Sequence, residues 1–462
     1  MNKYKKLLSN TLIFGIGTFS SKILVFLLMP LYTSVLTKGE YGTADLIMQT
    51  GNLIIPLASM GMFNALIRFG LDKKYKKDDV FSTAVLSLIL GFLVLFLFFP
   101  LINLYKDISG YVIYVYLFVL MSCLHSTCSQ FCRSMNLVKL FAFDGILCTF
   151  NTIVLNVLFL VVFKMGIVGY VLANILADFI SAVFLFCYAK LSRFLKFQRI
   201  RKSTAVGMLK YAVPLIPTNI FWWITNVSDR YIVTALVGAD INGLYAVANK
   251  IPSMLVLLST VFMEAWQMSA ITENKEGKRE VFFKKVFSSY QAIVFIGGSF
   301  LILFTKLITS ILVSDNFYDA WKYTPFLIIA MACSCLATFM GSVYVVEKKS
   351  VMSLVTTMAG AILNIIMNFI LVPIFGANGA AFATFASYLC VFIIRGVNTK
   401  RFINFNMHSI KVGFNIAVLI IQSFILIFEI NNWLIYEILL TLFITVINFR
   451  YVLQSVKTIF KR

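Results

Sequence analysis

Apolar runs of roughly 20 residues recur from one end of this chain to the other, and each is long enough to cross about 30 Å of hydrocarbon as a helix. In lipid, every backbone polar group must find its partner inside the protein, which leaves helices or a closed barrel. The alternating ten-residue pattern of a membrane barrel does not occur. The chain is therefore read as an all-α integral membrane protein. Its composition agrees: of 462 residues, 60% are hydrophobic and 13% charged, where soluble domains carry about 25% charged residues. The first run, from Thr11 to Leu36, follows Lys3, Lys5 and Lys6. It is too long for the core of a signal peptide and no small-residue cleavage site follows, so it is read as a retained span.

About 14 spans are expected, at 10–36, 43–67, 80–103, 111–133, 141–163, 167–189, 210–237, 243–267, 285–313, 322–346, 351–373, 377–397, 410–428 and 432–453. Fourteen spans put alternate loops on one side, and the basic residues follow that alternation. One set of loops is basic: Arg68 to Lys77, Lys190 to Lys202, Lys275 to Lys285, Lys348 and Lys349, Lys400 and Arg401, and the Lys457–Arg462 tail. The other set is short and carries few charges. By the positive-inside rule both termini are cytoplasmic, in a multi-pass protein of the cytoplasmic (inner) membrane. Tyr111, Tyr114, Trp321, Tyr323, Trp433 and Tyr436 fall at the outer ends, as an interfacial belt requires. The net charge of +21 is thus a matter of topology, and no nucleic-acid partner is expected.

The chain also repeats. Span 1 leads through Leu36 to Gly42, and span 7 leads through Val237 to Gly243. Span 5 carries Asn151 and Asn156, then Gly166-x-x-Gly169 and Ala173; span 11 carries Asn364 and Asn368, then Gly376-x-x-Gly379 and Ala383. Both halves enter from the same side, as in parallel transporter repeats. The expected divisions are an N-terminal six-helix lobe over 1–190, a basic cytoplasmic linker over 191–209, a second six-helix lobe over 210–400, and two additional helices with a tail over 401–462.

Ionisable residues deep in a span cost roughly 2.5–3.5 kcal/mol each on insertion scales and usually face a cavity or a partner. Lys22 lies near the middle of span 1 with no carboxylate within a turn of sequence, which points to a cavity. Asp178 is at similar depth in span 6. Lys250 lies in span 8, Asp229 and Arg230 are adjacent in span 7, and Glu264 is near the inner end of span 8. Asp229 and Arg230 read equally as a structural pair, and Glu264 as an interfacial carboxylate. Pro214 and Pro217 allow span 7 to bend, and the asparagines of spans 5 and 11 suit helix-to-helix bonding. The eight cysteines all lie in apolar runs without zinc spacing, and the chain has two histidines, so no metal or cofactor is expected. Phosphate-loop, paired-histidine and nucleophile-elbow motifs do not occur, and the outer loops are too short for a membrane glycosyltransferase or polymerase. A non-enzymatic protein is expected.

Three stretches resemble the polysaccharide-repeat-unit flippases (Wzx type) of the multidrug/oligosaccharidyl-lipid/polysaccharide exporter superfamily. They are NTLIFGIGTFSSKILVFLLMPLYTSVLTKGEYGTADL from Asn10 to Leu46, SDRYIVTALVGADINGLYAVANKI from Ser228 to Ile251, and the asparagine-rich helix and glycine turn from Asn364 to Gly379. The resemblance implies two pseudo-symmetric six-helix lobes in a V around a central cavity, as in MATE exporters, plus two C-terminal helices. It implies passage of an undecaprenyl-pyrophosphate-linked oligosaccharide to the outer leaflet for capsule, exopolysaccharide or O-antigen synthesis, in contact with membrane lipids; a monomer is the default expectation for two pseudo-symmetric lobes. A polysaccharide polymerase and glycosyltransferases are the protein partners it suggests. Lys22, Arg230 and Lys250, with Asp229, match the family's charged cavity positions, and a positive lumen suits an anionic pyrophosphate. Asp178 and Glu264 are the candidates for coupling to an ion. Lipid II flippases and multidrug exporters of the same superfamily are the nearest alternatives. Multidrug exporters take organic cations and call for an acidic lumen, whereas the deep basic residues here equal or outnumber the acidic ones.

Overall fold

The computed structural model describes residues 26–97, 108–272, 279–347 and 349–460; side chains at 261, 264, 265, 267–279, 350 and 452–460 lie outside that description. Among the described residues all regular structure is helical, with no strand. Among the described residues ten helices are long and apolar enough to cross a membrane, or eleven if one bent pair is a single span. The protein is a multi-pass membrane protein. Contact density divides it into two units, Met1–Trp223 and Ile224–Arg462.

The first unit begins with α1 (Met29–Val35) and α2 (Lys38–Ala58). Thr37 caps α2: its hydroxyl accepts the Glu40 N–H at 3.3 Å, and the Glu40 carboxylate accepts the Thr37 N–H at 2.9 Å. This reciprocal capping satisfies two otherwise orphaned donors. Pro56 lies near the end of α2, and α3 (Met62–Leu71) continues at a 49° bend. There follow α4 (Lys77–Phe96), α5 (Val112–Ser134), α6 (Val138–Asn156, prolonged by a π turn to Val162) and α7 (Gly166–Tyr188). The core draws Met62 and Leu66 from α3, Phe81 from α4, Phe131 from α5 and Leu185 from α7.

The segment expected as a linker over 191–209 is structured. It makes short turns at Leu191–Phe194 and Phe197–Arg199, then α8 (Lys202–Ala212). Its attachment is polar. The Ser82 hydroxyl donates to Phe194 O at 2.9 Å and accepts the Lys196 N–H at 2.7 Å. The buried Asp79 carboxylate accepts the Arg201 N–H at 3.0 Å and the Thr204 hydroxyl at 2.6 Å. Met208 and Ala212 complete the core from α8. The cations of this stretch hid those anchors, because the serine and aspartate that hold it lie more than 100 residues earlier.

Pro214 occupies a tight turn at Val213–Leu215, after which α9 runs from Ile216 to Leu236. At 21 residues α9 is long enough to span, but too polar to count among the ten. The second unit contains α10 (Ala239–Ala248), α11 (Lys250–Thr272), α12 (Arg279–Leu303) and α13 (Thr305–Leu312). A 3₁₀ segment at Asp315–Tyr323 leads into α14 (Thr324–Val346), then α15 (Ser350–Phe375), α16 (Ala377–Thr399), α17 (Ser409–Ile427) and α18 (Trp433–Phe460). Helix α14 is buried on every face, the pattern of a helix wholly enclosed by others. On it, Arg395 of α16 is 2% exposed. Its guanidinium donates to Ala337 O at 2.9 Å and to the Thr356 and Thr357 hydroxyls at 3.0 Å each.

Two of the aromatics expected in the belt, Trp321 and Trp433, flank one cation. Lys306 Nζ lies 4.3 Å from the Trp321 ring centroid and 4.4 Å from that of Trp433, and pairs with Glu429. Trp321 is buried, so this ring packs on a cation within the unit. In the loop after α17, Lys306 holds the Glu429 carboxyl below its ordinary range.

The two glycine pairs read as a repeat share one geometry. Gly166 and Gly376 turn the chain at φ +55° and +58°, a region where a Cβ is strained. Three residues on, Gly169 and Gly379 let the returning helix approach the preceding one. A Cβ at Gly379 would lie 2.3 Å from Leu371 O; at Gly169 the nearest atoms are Met165 Cβ at 2.9 Å and Phe159 O at 3.2 Å. Gly379→Ala must therefore push α15 and α16 apart, at an expected cost of about 1–3 kcal/mol. Gly169→Ala should cost less. Thermal unfolding midpoints of the two purified variants test the order; a larger fall for Gly169→Ala would contradict it.

Candidate functional site

Asp229 is the centre of a buried polar cluster in the second unit. It sits on α9 and is 1% exposed. Its Oδ1 accepts the backbone N–H of Arg230 at 2.9 Å. Its Oδ2 accepts the Tyr245 hydroxyl of α10 at 2.5 Å and the Thr384 hydroxyl of α16 at 3.1 Å. Helix α15 closes the ring: Asn364 Nδ2 donates to Thr384 Oγ1 at 3.3 Å, and Asn364 Oδ1 accepts from the Ser228 hydroxyl at 3.0 Å and from Asn368 Nδ2 at 3.0 Å. One turn earlier on α9, Asn226 Oδ1 accepts the Tyr388 hydroxyl at 2.6 Å. Helices α9, α10 and α16 thus meet on one carboxylate, and α15 joins them through Thr384 and Ser228.

The sequence suits this arrangement. Asp229 and Asn226 are three apart on α9, and Asn364 and Asn368 four apart on α15, so each pair shares a helix face. Thr384 and Tyr388 stand likewise on α16. Of the asparagines expected to bond helices, Asn364 and Asn368 do so in this cluster, whereas Thr384 and Tyr388 carried no sequence signal because hydroxyls are common in membrane helices. Asn368 Oδ1 is buried with no partner among the described residues. The ring therefore holds an acceptor in excess.

Arg230, 7% exposed, adjoins Asp229, and its backbone carbonyl accepts the Thr234 hydroxyl at 2.8 Å. Lys250 opens α11 and is half-buried. Lys22 lies outside the described residues. Glu264 lies within α11, its side chain outside the described set. Asp178 belongs to α7 of the first unit, where its carboxylate meets His125 Nδ1 at 2.9 Å.

Another buried carboxylate escaped the sequence reading. Glu437 of α18 accepts from Gln422 Nε2 of α17 at 2.9 Å. Gln422 Oε1 accepts the Ser299 hydroxyl of α12 at 2.8 Å, and Thr441 joins both. Asn415 and Asn448 exchange side-chain hydrogen bonds nearby. The two C-terminal helices are therefore tied by polar side chains to α12. Glu437 falls inside the expected limits of span 14, which was the available signal.

A model of the family described as polysaccharide biosynthesis protein matches residues 7–267. No curated protein matches the sequence. Among solved structures, an inward-facing multidrug resistance MATE family transporter of the MOP superfamily is similar at a TM-score of 0.69 and 14% identity, covering 82% of this chain and 95% of that one. The lipid II flippase MurJ, in an inward closed conformation, is similar at 0.66 and 14% identity, covering 96% of this chain and 99% of its own. An outward-facing MATE transporter is similar at 0.61 and 15% identity, covering 85% and 94%. The MurJ match leaves too few residues uncovered to omit α17 and α18. The chain belongs to the polysaccharide biosynthesis protein family, and its fold is that of the MATE and MurJ transporters of the MOP superfamily.

Proposed function

We propose that this protein is a flippase that carries undecaprenyl-pyrophosphate-linked oligosaccharide repeat units across the cytoplasmic membrane for surface polysaccharide synthesis. The observation that carries the reading is a family model for polysaccharide biosynthesis matched over more than half the chain, on a fold shared with transporters. Positive charge from Lys22, Arg230 and Lys250 would offset the pyrophosphate during passage, with both termini in the cytoplasm as the loop charges suggest. Alternating access then moves the head group between leaflets, and Asp178 and Glu264 are the proposed sites of ion coupling.

The coverage of MurJ, a lipid II flippase, over 96% of the chain supports a lipid-linked cargo over the organic cation of a multidrug exporter, and keeps lipid II itself as the second reading. Deleting the gene separates them. Loss of surface polysaccharide with lipid-linked repeat units accumulating inside is the expected result. Accumulated lipid II with polysaccharide intact would establish the second reading instead.

A further inference from the structure

His125 of α5 bridges two carboxylates on two other helices. Its Nε2 lies 2.9 Å from Asp144 Oδ2 of α6, and its Nδ1 lies 2.9 Å from Asp178 Oδ1 of α7. A neutral imidazole carries one N–H and can make one such bond to a carboxylate. The second nitrogen would then turn a lone pair toward an ionised oxygen at the same distance. Two contacts of this length thus require two protons among the three groups. Ser129 donates to Asp144 Oδ2 at 3.3 Å and Cys148 to Asp178 Oδ1 at 3.8 Å, which favours ionised carboxylates and a doubly protonated ring.

The charges around the ring point the same way. Asp144 and Cys148 face it from α6 and Asp178 from α7; α5 itself adds Cys123, Cys128 and Cys132. Of the other helices packed on α5, α2 carries Asp45, with Lys38 and Glu40 in its first turn, α3 carries Arg68, and α4 carries Lys77, Asp78 and Asp79 in its first turn. Asp45 bonds Gln49, Glu40 the Thr37 N–H, Asp78 the Arg199 guanidinium and Asp79 Thr204 with the Arg201 N–H, while Arg68 lies over the Tyr211 ring. Among the described residues no lysine or arginine bonds His125, Asp144 or Asp178. Asp144, 2% exposed, keeps a second buried oxygen, Oδ1, with no partner among them. The cluster is rich in acceptors and draws its positive charge from a proton.

We propose that His125, Asp144 and Asp178 form a proton-binding site in the first unit, in which the ring holds one exchangeable proton beyond its neutral complement. Loss of that proton to solvent leaves a bare ring nitrogen against a carboxylate and breaks one of the two contacts the ring makes to α6 and α7. Proton occupancy is thereby linked to the packing of three helices. Its use in driving transport rests on the flippase reading; the proton site itself does not.

The test uses the full chain with His408→Gln, which leaves His125 as the one histidine. The ring is labelled with ¹⁵N and the protein is reconstituted in lipid nanodiscs. At neutral pH both ring nitrogens are expected as N–H, and raising the pH should convert one to the bare form. In Asp144→Asn and in Asp178→Asn, one nitrogen should already be bare at neutral pH, because the new amide can donate to it and keep the helices joined. A bare nitrogen at neutral pH with both aspartates present would overturn the proposal, as would an unchanged doubly protonated ring in both asparagine variants. Spectra as expected in a protein that fails to flip lipid-linked saccharide would count against the flippase reading alone.

Discussion

Asp229→Ala is expected to lower the unfolding midpoint of the purified protein by several degrees. The carboxylate is the shared acceptor of the Tyr245 and Thr384 hydroxyls and the Arg230 N–H. Its removal leaves buried donors unsatisfied and withdraws the negative charge beside the Arg230 guanidinium. Unsatisfied buried groups cost about 1–3 kcal/mol each, so a total of roughly 2–4 kcal/mol is expected after Thr384 turns to its own helix. Asp229→Asn keeps one acceptor oxygen and should cost less. Tyr245→Phe removes the main donor, so the double variant Asp229→Ala/Tyr245→Phe should be more stable than the sum of the two losses implies. Strict additivity would show that the Tyr245 hydroxyl draws no stability from Asp229.

Lys22→Ala should abolish polysaccharide export while the protein still reaches the membrane in normal amount. A lysine near mid-span costs roughly 2.5–3.5 kcal/mol to insert, so its loss removes a burden on folding while taking a cation from the proposed passage. Lys22→Arg preserves the charge and can hold a phosphate in two-point fashion; it should retain part of the activity. Lys22→Glu should retain none. Export by the alanine variant at the normal level, or equal export by the arginine and glutamate variants, would remove electrostatics from the account.

What could be read from residues alone divides along physical lines. Spans follow from local apolarity, which is additive along the chain, and the turns at Gly166 and Gly376 follow from a backbone geometry that glycine adopts most easily. Asp229 was visible because a carboxylate in an apolar run is costly wherever it points. Its partners were not, since Tyr245, Asn364 and Thr384 come from three helices and their meeting depends on how those helices rotate. His125 shows the same limit: Asp144 is 19 residues away and Asp178 is 53 away, and no spacing rule joins them. Asp144 and Glu437 lie within the expected span limits and belong with the deep charges. Lys22 remains a reading of sequence, since it lies outside the described residues.

Arg395 shows what the second unit can and cannot do when it moves. Its guanidinium is held by a carbonyl of α14 and two hydroxyls of α15, all neutral oxygens, with Gly341 leaving the space it fills. Prising either helix from α16 would strand a full positive charge in a medium of low polarity, a penalty of several kcal/mol. Sliding motions within this trio are therefore disfavoured against a swing of the trio entire. Helices α14, α15 and α16 behave as a single beam riveted at one point, and whatever flexing transport demands must fall at other joints.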